Sequence, residues 1–264
     1  MLNHKGINME LKIYLSIFLF YSSSIVCMET NPLSLPKNQI FCAAKSRDQQ
    51  KMSALLKSNK KLANKTDKQL GHILNYTVEH GSLKNVQLLL NYNANVNTPL
   101  DRHKIGFTPL HFSTSYPLKT ELLLEFQANP NAKSIHGNTP LHACFHYDTP
   151  IETIHLLINC GAKINDKNDH GMTCLHFAAV KNPEKMETLL SYKPNINALN
   201  HEGQSALHIA VRYFQITIVK LLLENGADAQ QKDYKEQSPL DLAWDLSNRY
   251  SLDKDEIIQL LERY

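Results

Sequence analysis

The stretch GNTPLHACF at residues 137–145 contains a four-residue pattern that returns along the chain. Each copy has a hydroxyl residue, a variable residue, a leucine and then a polar residue, which is histidine in all copies but the last. The five copies are Thr108-Pro109-Leu110-His111, Thr139-Pro140-Leu141-His142, Thr173-Cys174-Leu175-His176, Ser205-Ala206-Leu207-His208 and Ser238-Pro239-Leu240-Asp241. Their first residues are 31, 34, 32 and 33 positions apart. This regular spacing indicates an internal structural repeat.

Each copy has the chemistry of a helix start. The hydroxyl can accept a hydrogen bond from a free amide of the first turn. Proline at the first helical position loses nothing, because its missing N–H would have been unpaired. Apolar residues at helical spacing follow twice, for example at 175–179 and at 186–190. A polar segment such as 193–197 then fits a loop. Every copy therefore predicts two short helices and a loop.

The loop signature recurs with the same period. The triplets are Asn95-Val96-Asn97, Asn129-Pro130-Asn131, Lys163-Ile164-Asn165, Asn195-Ile196-Asn197 and Asp228-Ala229-Gln230. Their last residues are 34, 34, 32 and 33 positions apart, and Asn64 lies 33 positions before Asn97. Ahead of it, residues 41–44 and 52–56 look like two degenerate helices. We therefore expect the array to begin near Asn38.

These features resemble ankyrin repeat proteins, over about residues 38–264. That family repeats a β-turn and two antiparallel helices about every 33 residues, with a T-P-L-H signature. The resemblance implies an all-α ankyrin-repeat solenoid of stacked helix-turn-helix units with short β-turn finger loops. The expected units are residues 38–66, 67–101, 102–135, 136–169, 170–201, 202–235 and 236–264.

The resemblance also implies a structural role for the tetrapeptides, in which the imidazole ties each turn to its neighbours. The residues assigned to that role are Thr108, His111, Thr139, His142, Thr173, His176, Ser205 and His208. Two units depart from the pattern. His72-Ile73-Leu74-Asn75 stands in the copy at 67–97, and Asp241 replaces histidine in the last copy.

Nothing in the sequence points to catalysis. GxGxxG, GxxxxGK[ST], HExxH and GxSxG are all absent. We therefore expect no enzyme activity, no catalytic residue, no cofactor and no metal. The net charge of +3 gives no reason to expect nucleic-acid binding.

We expect a monomeric protein–protein interaction scaffold instead. The resemblance places its partner on the concave surface of finger loops and inner helices. The candidate contacts are Arg102, His103, Lys104, Ser134, Ile135, His136, Asn168, Asp169, His170, Asn200, His201, Tyr234 and Lys235.

An alternative concerns four finger histidines. His103, His136, His170 and His201 are 33, 34 and 31 positions apart. In a stack they could form a row that is pH-sensitive or binds a ligand or metal ion. Neighbouring units lie about 10 Å apart, however, whereas zinc needs N–Zn distances of about 2.0–2.1 Å. The row has an equally simple explanation without any function, since polar residues are common at the tips of hairpin loops and histidine is one of them.

Two further surface features stand at the ends of the array. Residues 42–68 hold eight Lys and Arg against two Asp. This basic cap fits an acidic partner, an anionic lipid surface or a solvated end of the stack. Trp244, the single tryptophan, is expected to pack in the C-terminal cap, with a partner anchor as the alternative.

The N-terminus resembles a secretory signal peptide. Lys5 and Lys12 precede an uncharged run at 13–28, whose 16 residues fall short of the roughly 20 that a spanning helix needs. We expect residues 1–28 to be a signal peptide cleaved between Ser24 and Met28, giving a secreted chain; the alternative is a retained membrane anchor. Residues 29–37 are the expected linker. The cysteines show no CxxC pair, and the sequence leaves open whether any two of them form a disulfide.

Overall fold

The computed structural model describes residues 39–67, 70–100, 106–145, 149–245 and 252–264. The expected signal peptide and linker lie outside these residues, as do Arg102, His103 and Lys104. The α-helices of the described residues are α1 Gln39–Lys45, α2 Gln49–Ser58, α3 Ile73–His80, α4 Leu83–Asn91, α5 Pro109–Ser113, α6 Pro117–Glu125, α7 Pro140–Ala143, α8 Ile151–Asn159, α9 Cys174–Ala178, α10 Pro183–Ser191, α11 Ala206–Arg212, α12 Ile216–Glu224, α13 Pro239–Asp245 and α14 Leu252–Leu261. A 3-10 helix spans Lys60–Asn64, and β1 Thr66–Asp67 pairs antiparallel with β2 Gly71–His72.

The helices form consecutive pairs that stack along one axis. Each odd-numbered, inner helix contacts the inner helix of the next pair, and most even-numbered, outer helices contact their outer neighbours. One hydrophobic core extends through the stack from Ile40 to Leu261. The expectation of an all-α solenoid is therefore confirmed. No helix in the described ranges is long and apolar enough to cross a membrane.

An asparagine ladder ties the loops between successive pairs. A backbone N–H of the following loop donates to the side-chain oxygen of each ladder residue at 2.8 or 2.9 Å. The ladder residues are Asn64, Asn97, Asn131, Asn165 and Asn197. Since Asn64 makes the same bond as the others, the periodicity includes the first helix pair.

Two buried lysines join inner helices to the following pair. Lys119 and Lys185 each occupy the third position of an outer helix. Lys119 Nζ donates to the carbonyls of Val78 at 2.6 Å and Gly81 at 3.0 Å, and Lys185 Nζ donates to Cys144 at 2.8 Å. These carbonyls lie at the C-terminal ends of α3 and α7, where backbone oxygens lack helical partners and attract positive charge. We call each of these contacts a lysine clamp.

Removing a lysine clamp should destabilise the stack. Lys119→Met keeps the apolar stem but leaves two buried carbonyls without their donor. We expect the free energy of unfolding to fall by about 1–3 kcal/mol in urea denaturation. Lys220→Met is the control, since Lys220 is an exposed lysine on the outer helix α12 and its loss should cost less than about 0.5 kcal/mol. Equal losses in the two variants would contradict the clamp.

Candidate interaction surface

A buried histidine connects each inner helix to the finger that follows it. Nδ1 of the imidazole accepts from the backbone N–H of the residue that opens the tetrapeptide, at 3.1 or 3.2 Å. Nε2 donates to a carbonyl of the next finger at 3.0 or 3.1 Å. The four pairs are His111 with Asn138, His142 with Met172, His176 with Gln204 and His208 with Gln237. This arrangement requires the neutral ring with its proton on Nε2.

The surroundings of these rings keep them neutral. Burial lowers the pKa of His111, His142 and His176 to about 4, although the hydrogen bond to the next finger's carbonyl acts in the opposite direction. Burial also lowers the pKa of His208. At neutral pH the rings therefore act as fixed hydrogen-bonding links rather than as acids or bases.

The two atypical units each keep half of this arrangement. Asn75 stands where the histidine would be, and its Nδ2 donates to the Phe107 carbonyl in the next unit at 3.1 Å. Its Oδ1 is buried and has no partner in the described residues. Asp241 does the reverse, because its Oδ2 accepts from the N–H and hydroxyl of Ser238. Asp241 lies in the last inner helix described, and its carboxylate could not donate to a carbonyl.

Four short finger loops precede the inner helices α7, α9, α11 and α13. They are residues 134–138, 168–172, 200–204 and 233–237. The side-chain oxygen of the first residue in each finger accepts from the backbone N–H of the last. Three of these first residues, Ser134, Asn168 and Asn200, were expected to contact a partner. They are buried, so their side chains hold the turn instead of presenting a surface.

Backbone hydrogen bonds join the fingers into one ribbon. The N–H groups of Asp169, His201 and Tyr234 donate to carbonyls of the preceding finger. The distances are 3.1 Å to His136, 3.0 Å to His170 and 3.1 Å to Glu202. Adjacent fingers therefore have fixed relative positions.

The second and third residues of each finger point side chains into solvent. Of the expected contacts, those exposed are Ile135, His136, Asp169, His170, His201, Tyr234 and Lys235. The sequence analysis missed Glu202, which is also exposed and is the third residue of its finger. His201 is a second residue and aligns with Asp169, whereas His136 and His170 are third residues. The 31-residue spacing was the signal for this shift.

The histidine row is therefore irregular. His136 and His170 occupy equivalent places, but Glu202 stands where a third histidine would continue them. Within the part of the chain that the structure describes, no group of three or more His, Cys, Asp or Glu side chains could hold a metal ion.

The ends of two inner helices add surface that the sequence analysis also missed. Lys181 is exposed just after α9, and Arg212 and Tyr213 are partly exposed at the end of α11. Arg212 Nε is shielded from solvent and has no hydrogen-bond acceptor in the described residues. The available signal was that Lys181 and Tyr213 follow their tetrapeptides at the same distance.

The ribbon depends on a glycine in three of the fingers. Gly171 has a φ of +73°, and a Cβ there would lie 2.8 Å from the backbone nitrogen of His201. We expect Gly171→Ala to lower the free energy of unfolding by about 2–4 kcal/mol, since the left-handed backbone and the clash both oppose the side chain.

Gly161→Ala separates these two causes. Gly161 also has a positive φ, +91°, but nothing lies within 4 Å of the place that a Cβ would occupy there. Its replacement should cost only about 1 kcal/mol of backbone strain. If calorimetry gives the same loss for both glycines, the close approach of the fingers does not matter for stability.

Residues 143–233 match the family model described as "Ankyrin repeats (3 copies)". The chain is 33% identical over 150 residues to neurogenic locus notch homolog protein 1 of Mus musculus, covering 56% of this chain and 6% of that protein. It is 35% identical over 147 residues to B-cell lymphoma 3 protein of Homo sapiens, covering 51% of this chain and 32% of that protein. The chain thus spans a third or less of the length of these relatives.

A solved structure extends the likeness beyond the matched repeats. The ankyrin repeat domain of Bcl-3 superimposes with a TM-score of 0.73 at 22% identity, covering 85% of this chain and 97% of that chain. At this identity the likeness concerns the fold alone. Residues 143–233 are therefore similar to ankyrin repeats, and the described residues have the fold of an ankyrin-repeat solenoid.

Proposed function

We propose that the chain is a protein-binding module without enzyme activity or cofactor. Its partner, a protein rather than a nucleic acid, lies along the finger ribbon and the exposed ends of the inner helices. The main support for this proposal is the ribbon of fingers. Backbone hydrogen bonds fix the relative positions of its four fingers, while the exposed side chains differ at equivalent positions of successive fingers. Ile135, Asp169, His201 and Tyr234 share one position of the finger, yet they are apolar, acidic, imidazole and aromatic. Varied side chains on a rigid frame suit the recognition of one surface.

Two groups of residues form the proposed contact surface. The first is the exposed finger set Ile135, His136, Asp169, His170, His201, Glu202, Tyr234 and Lys235. Arg102, His103 and Lys104 extend it by sequence analogy. The second group is Lys181, Arg212 and Tyr213 at the inner-helix ends. Tyrosine and arginine are the residue types that most often dominate binding energy. Arg212 is partly exposed, and its guanidinium could donate to a partner's carboxylate or carbonyl.

The test compares proteins captured by the chain and by two variants. In the finger variant, Asp169, His201 and Tyr234 become alanine. In the matched control, Glu121, Glu187 and Lys220, which are exposed on outer helices, become alanine. Quantitative mass spectrometry should find a protein held by the chain and by the control but lost from the finger variant, with melting temperatures unchanged. A partner lost equally from the control, or kept by the finger variant, would place the binding surface elsewhere.

We also propose the domain organisation and the export of the chain. Each helix pair is one repeat, with the seven unit boundaries given above. Residues 1–28 direct export and are removed, so the mature chain is secreted. Mass spectrometry of the mature N-terminus tests this, because a start between residues 25 and 29 supports cleavage. A retained N-terminus would instead favour a membrane-tethered adaptor.

A further inference from the structure

The outer helices of the first two pairs carry lysines and no acidic residue. Residues 49–66 contain five Lys and residues 82–100 contain one, with neither Asp nor Glu in either range. These ranges include α2, the 3-10 helix and α4, and α2 contacts α4. All of these lysines are exposed, namely Lys51, Lys57, Lys60, Lys61, Lys65 and Lys84. We call them the lysine face.

The outer helices α6, α8, α10 and α12 differ in charge. Each contains at least one exposed glutamate, among Glu121, Glu125, Glu152, Glu184, Glu187 and Glu224. Asp48 directly precedes α2, but its carboxylate caps that helix by accepting from the Lys51 N–H at 2.9 Å. The lysine face is therefore a local feature of a chain whose net charge is only +3. A local excess of one sign of charge attracts a surface of the opposite sign.

Exposed apolar side chains border the lysine face. Leu83, directly before Lys84, is 36% exposed, and Leu118 is 65% exposed. Leu118 is the second residue of α6, the place that Lys84 occupies in α4, and these two helices contact each other. The second residues of the other outer helices up to α12 are polar, namely Gln50, Glu152, Glu184 and Thr217. Leu118 thus places an apolar side chain in an otherwise polar row, beside Lys84.

The turns of the first three pairs are held together by close contacts. Lys119 Nζ donates to the Gly81 carbonyl at 3.0 Å and lies 4.2 Å from the centroid of the Tyr116 ring, which is 43% exposed. A Cβ at Gly81 would lie 3.3 Å from the Ala44 carbonyl oxygen. The lysine clamp therefore positions Tyr116 beside the turn that contains Leu83. We call Leu83, Tyr116 and Leu118 the apolar edge.

Other exposed large apolar residues lie away from the lysine face. Ile135 and Tyr234 belong to the fingers. Trp244 was expected to pack within the C-terminal cap, but it is 53% exposed in α13. The sixth residues counted from the starts of the other inner helices are all buried, namely Ala44, Val78, Thr114, Phe145, Ala179 and Val211. The apolar edge is thus the group that adjoins the lysine face.

A lipid surface explains both features together. Each lysine near an anionic bilayer strengthens binding by about fivefold. Leucine and tyrosine side chains can enter the boundary between headgroups and acyl chains, where tyrosine is favoured. Neither 49–66 nor 82–100 contains arginine, whose planar fork suits paired contacts with carboxylates and nucleic-acid phosphates. The residue types therefore favour a membrane over an acidic protein or a nucleic acid.

We propose that the lysine face and the apolar edge bind the surface of an anionic membrane. The lysines attract the lipid headgroups, and the apolar edge enters the interface. The outer helices and the turns before them make this contact, whereas the fingers do not. The proposal therefore does not rest on the proposed protein-binding function.

Cosedimentation of the full chain with lipid vesicles tests this contact. One set of vesicles contains equal amounts of phosphatidylcholine and phosphatidylserine, and the other contains phosphatidylcholine alone. We expect strong binding to the anionic vesicles only, and added salt should weaken it because salt screens the attraction between charges. Equal binding to both sets, as the apolar run at 13–28 would give, would overturn the proposal.

Exchange of lysines measures the contribution of charge. Replacing Lys57, Lys61 and Lys84 by glutamine should weaken binding to the anionic vesicles by about a hundredfold, since each lysine contributes about fivefold. The matched control makes the same change at three exposed lysines of later units, Lys163, Lys193 and Lys220. It lowers the net charge equally and should keep the affinity of the unchanged chain. An equal loss of binding in the two variants would show that the lysine face has no special role.

Leu118 distinguishes a membrane from a soluble polyanion. In Leu118→Trp the introduced indole should shift its fluorescence to shorter wavelength with anionic vesicles, but not with polyglutamate or duplex DNA. The unchanged chain gives the signal of Trp244 for comparison. Leu118→Ser should weaken vesicle binding severalfold. An indole that does not shift with vesicles, or tighter binding to polyglutamate or DNA than to vesicles, would assign the face to an acidic protein or a nucleic acid instead.

Discussion

Replacing His176 by alanine is expected to lower the free energy of unfolding by about 3–5 kcal/mol. The ring is buried between α9 and the finger at 200–204, where Nε2 donates to the Gln204 carbonyl and Nδ1 accepts from the Thr173 N–H. Alanine leaves both backbone groups buried and unpaired, each at a cost of about 1–3 kcal/mol, and adds a cavity. The loss should rank among the largest of any single substitution in the chain.

Urea denaturation followed by circular dichroism measures this effect. His170→Ala is the matched control, because His170 is an exposed histidine in the finger that precedes α9. Its replacement should change the free energy of unfolding by less than about 0.5 kcal/mol. A small effect of His176→Ala, or a similar effect of the two substitutions, would show that the buried link contributes little to the stack.

Lowering the pH from 7 to 5 is expected to destabilise the protein by about 5–6 kcal/mol. Histidine in the unfolded chain has a pKa near 6.5, whereas burial lowers the pKa of His111, His142 and His176 to about 4. Between these values the unfolded chain binds more protons than the folded chain, so acid favours unfolding. Each ring contributes up to about 1.4 kcal/mol per pH unit in that window and nothing further below about pH 4.

Urea titrations at pH 7, 6 and 5 test the acid sensitivity. His111→Asn serves as the matched variant, since Asn75 already makes the same link from α3 to the next unit. It removes one of the three rings whose pKa lies near 4, and burial also lowers the pKa of His208, so the fall in stability between pH 7 and 5 should shrink by at most about a third. A free energy of unfolding that stays constant between pH 7 and 5 would contradict neutral buried histidines.

Local chemistry made much of the solenoid predictable. A hydroxyl cap, a helix-starting residue, a leucine and a histidine recur because every internal unit has the same structural requirements. Each unit must start a helix, fill one layer of the core and bind the next finger. The loop asparagines recur for a similar reason, and the structure shows Asn64 and Asn97 in equivalent bonds.

The exposed surface was less predictable. Ser134, Asn168 and Asn200 have the polar character of contact residues, yet their side chains satisfy backbone groups within the turn. Glu202 was missed because the finger alignment shifts by one residue at His201. A solvent-exposed finger position tolerates almost any polar side chain. The residue types in the fingers therefore say little about whether a given side chain points into solvent or into the turn.

The amino-acid sequence by itself determined the repeat, its period and the helix starts of this protein, because hydrogen-bonding and apolar requirements recur within each short segment. Only the tertiary structure decided which lysines are buried and how the fingers join into a ribbon. It also decided that Trp244 is 53% exposed, whereas the equivalent residues of the other inner helices are buried. Those features depend on neighbours more than 30 residues away in the sequence. The type of a residue does not reveal whether another unit of the stack packs against it.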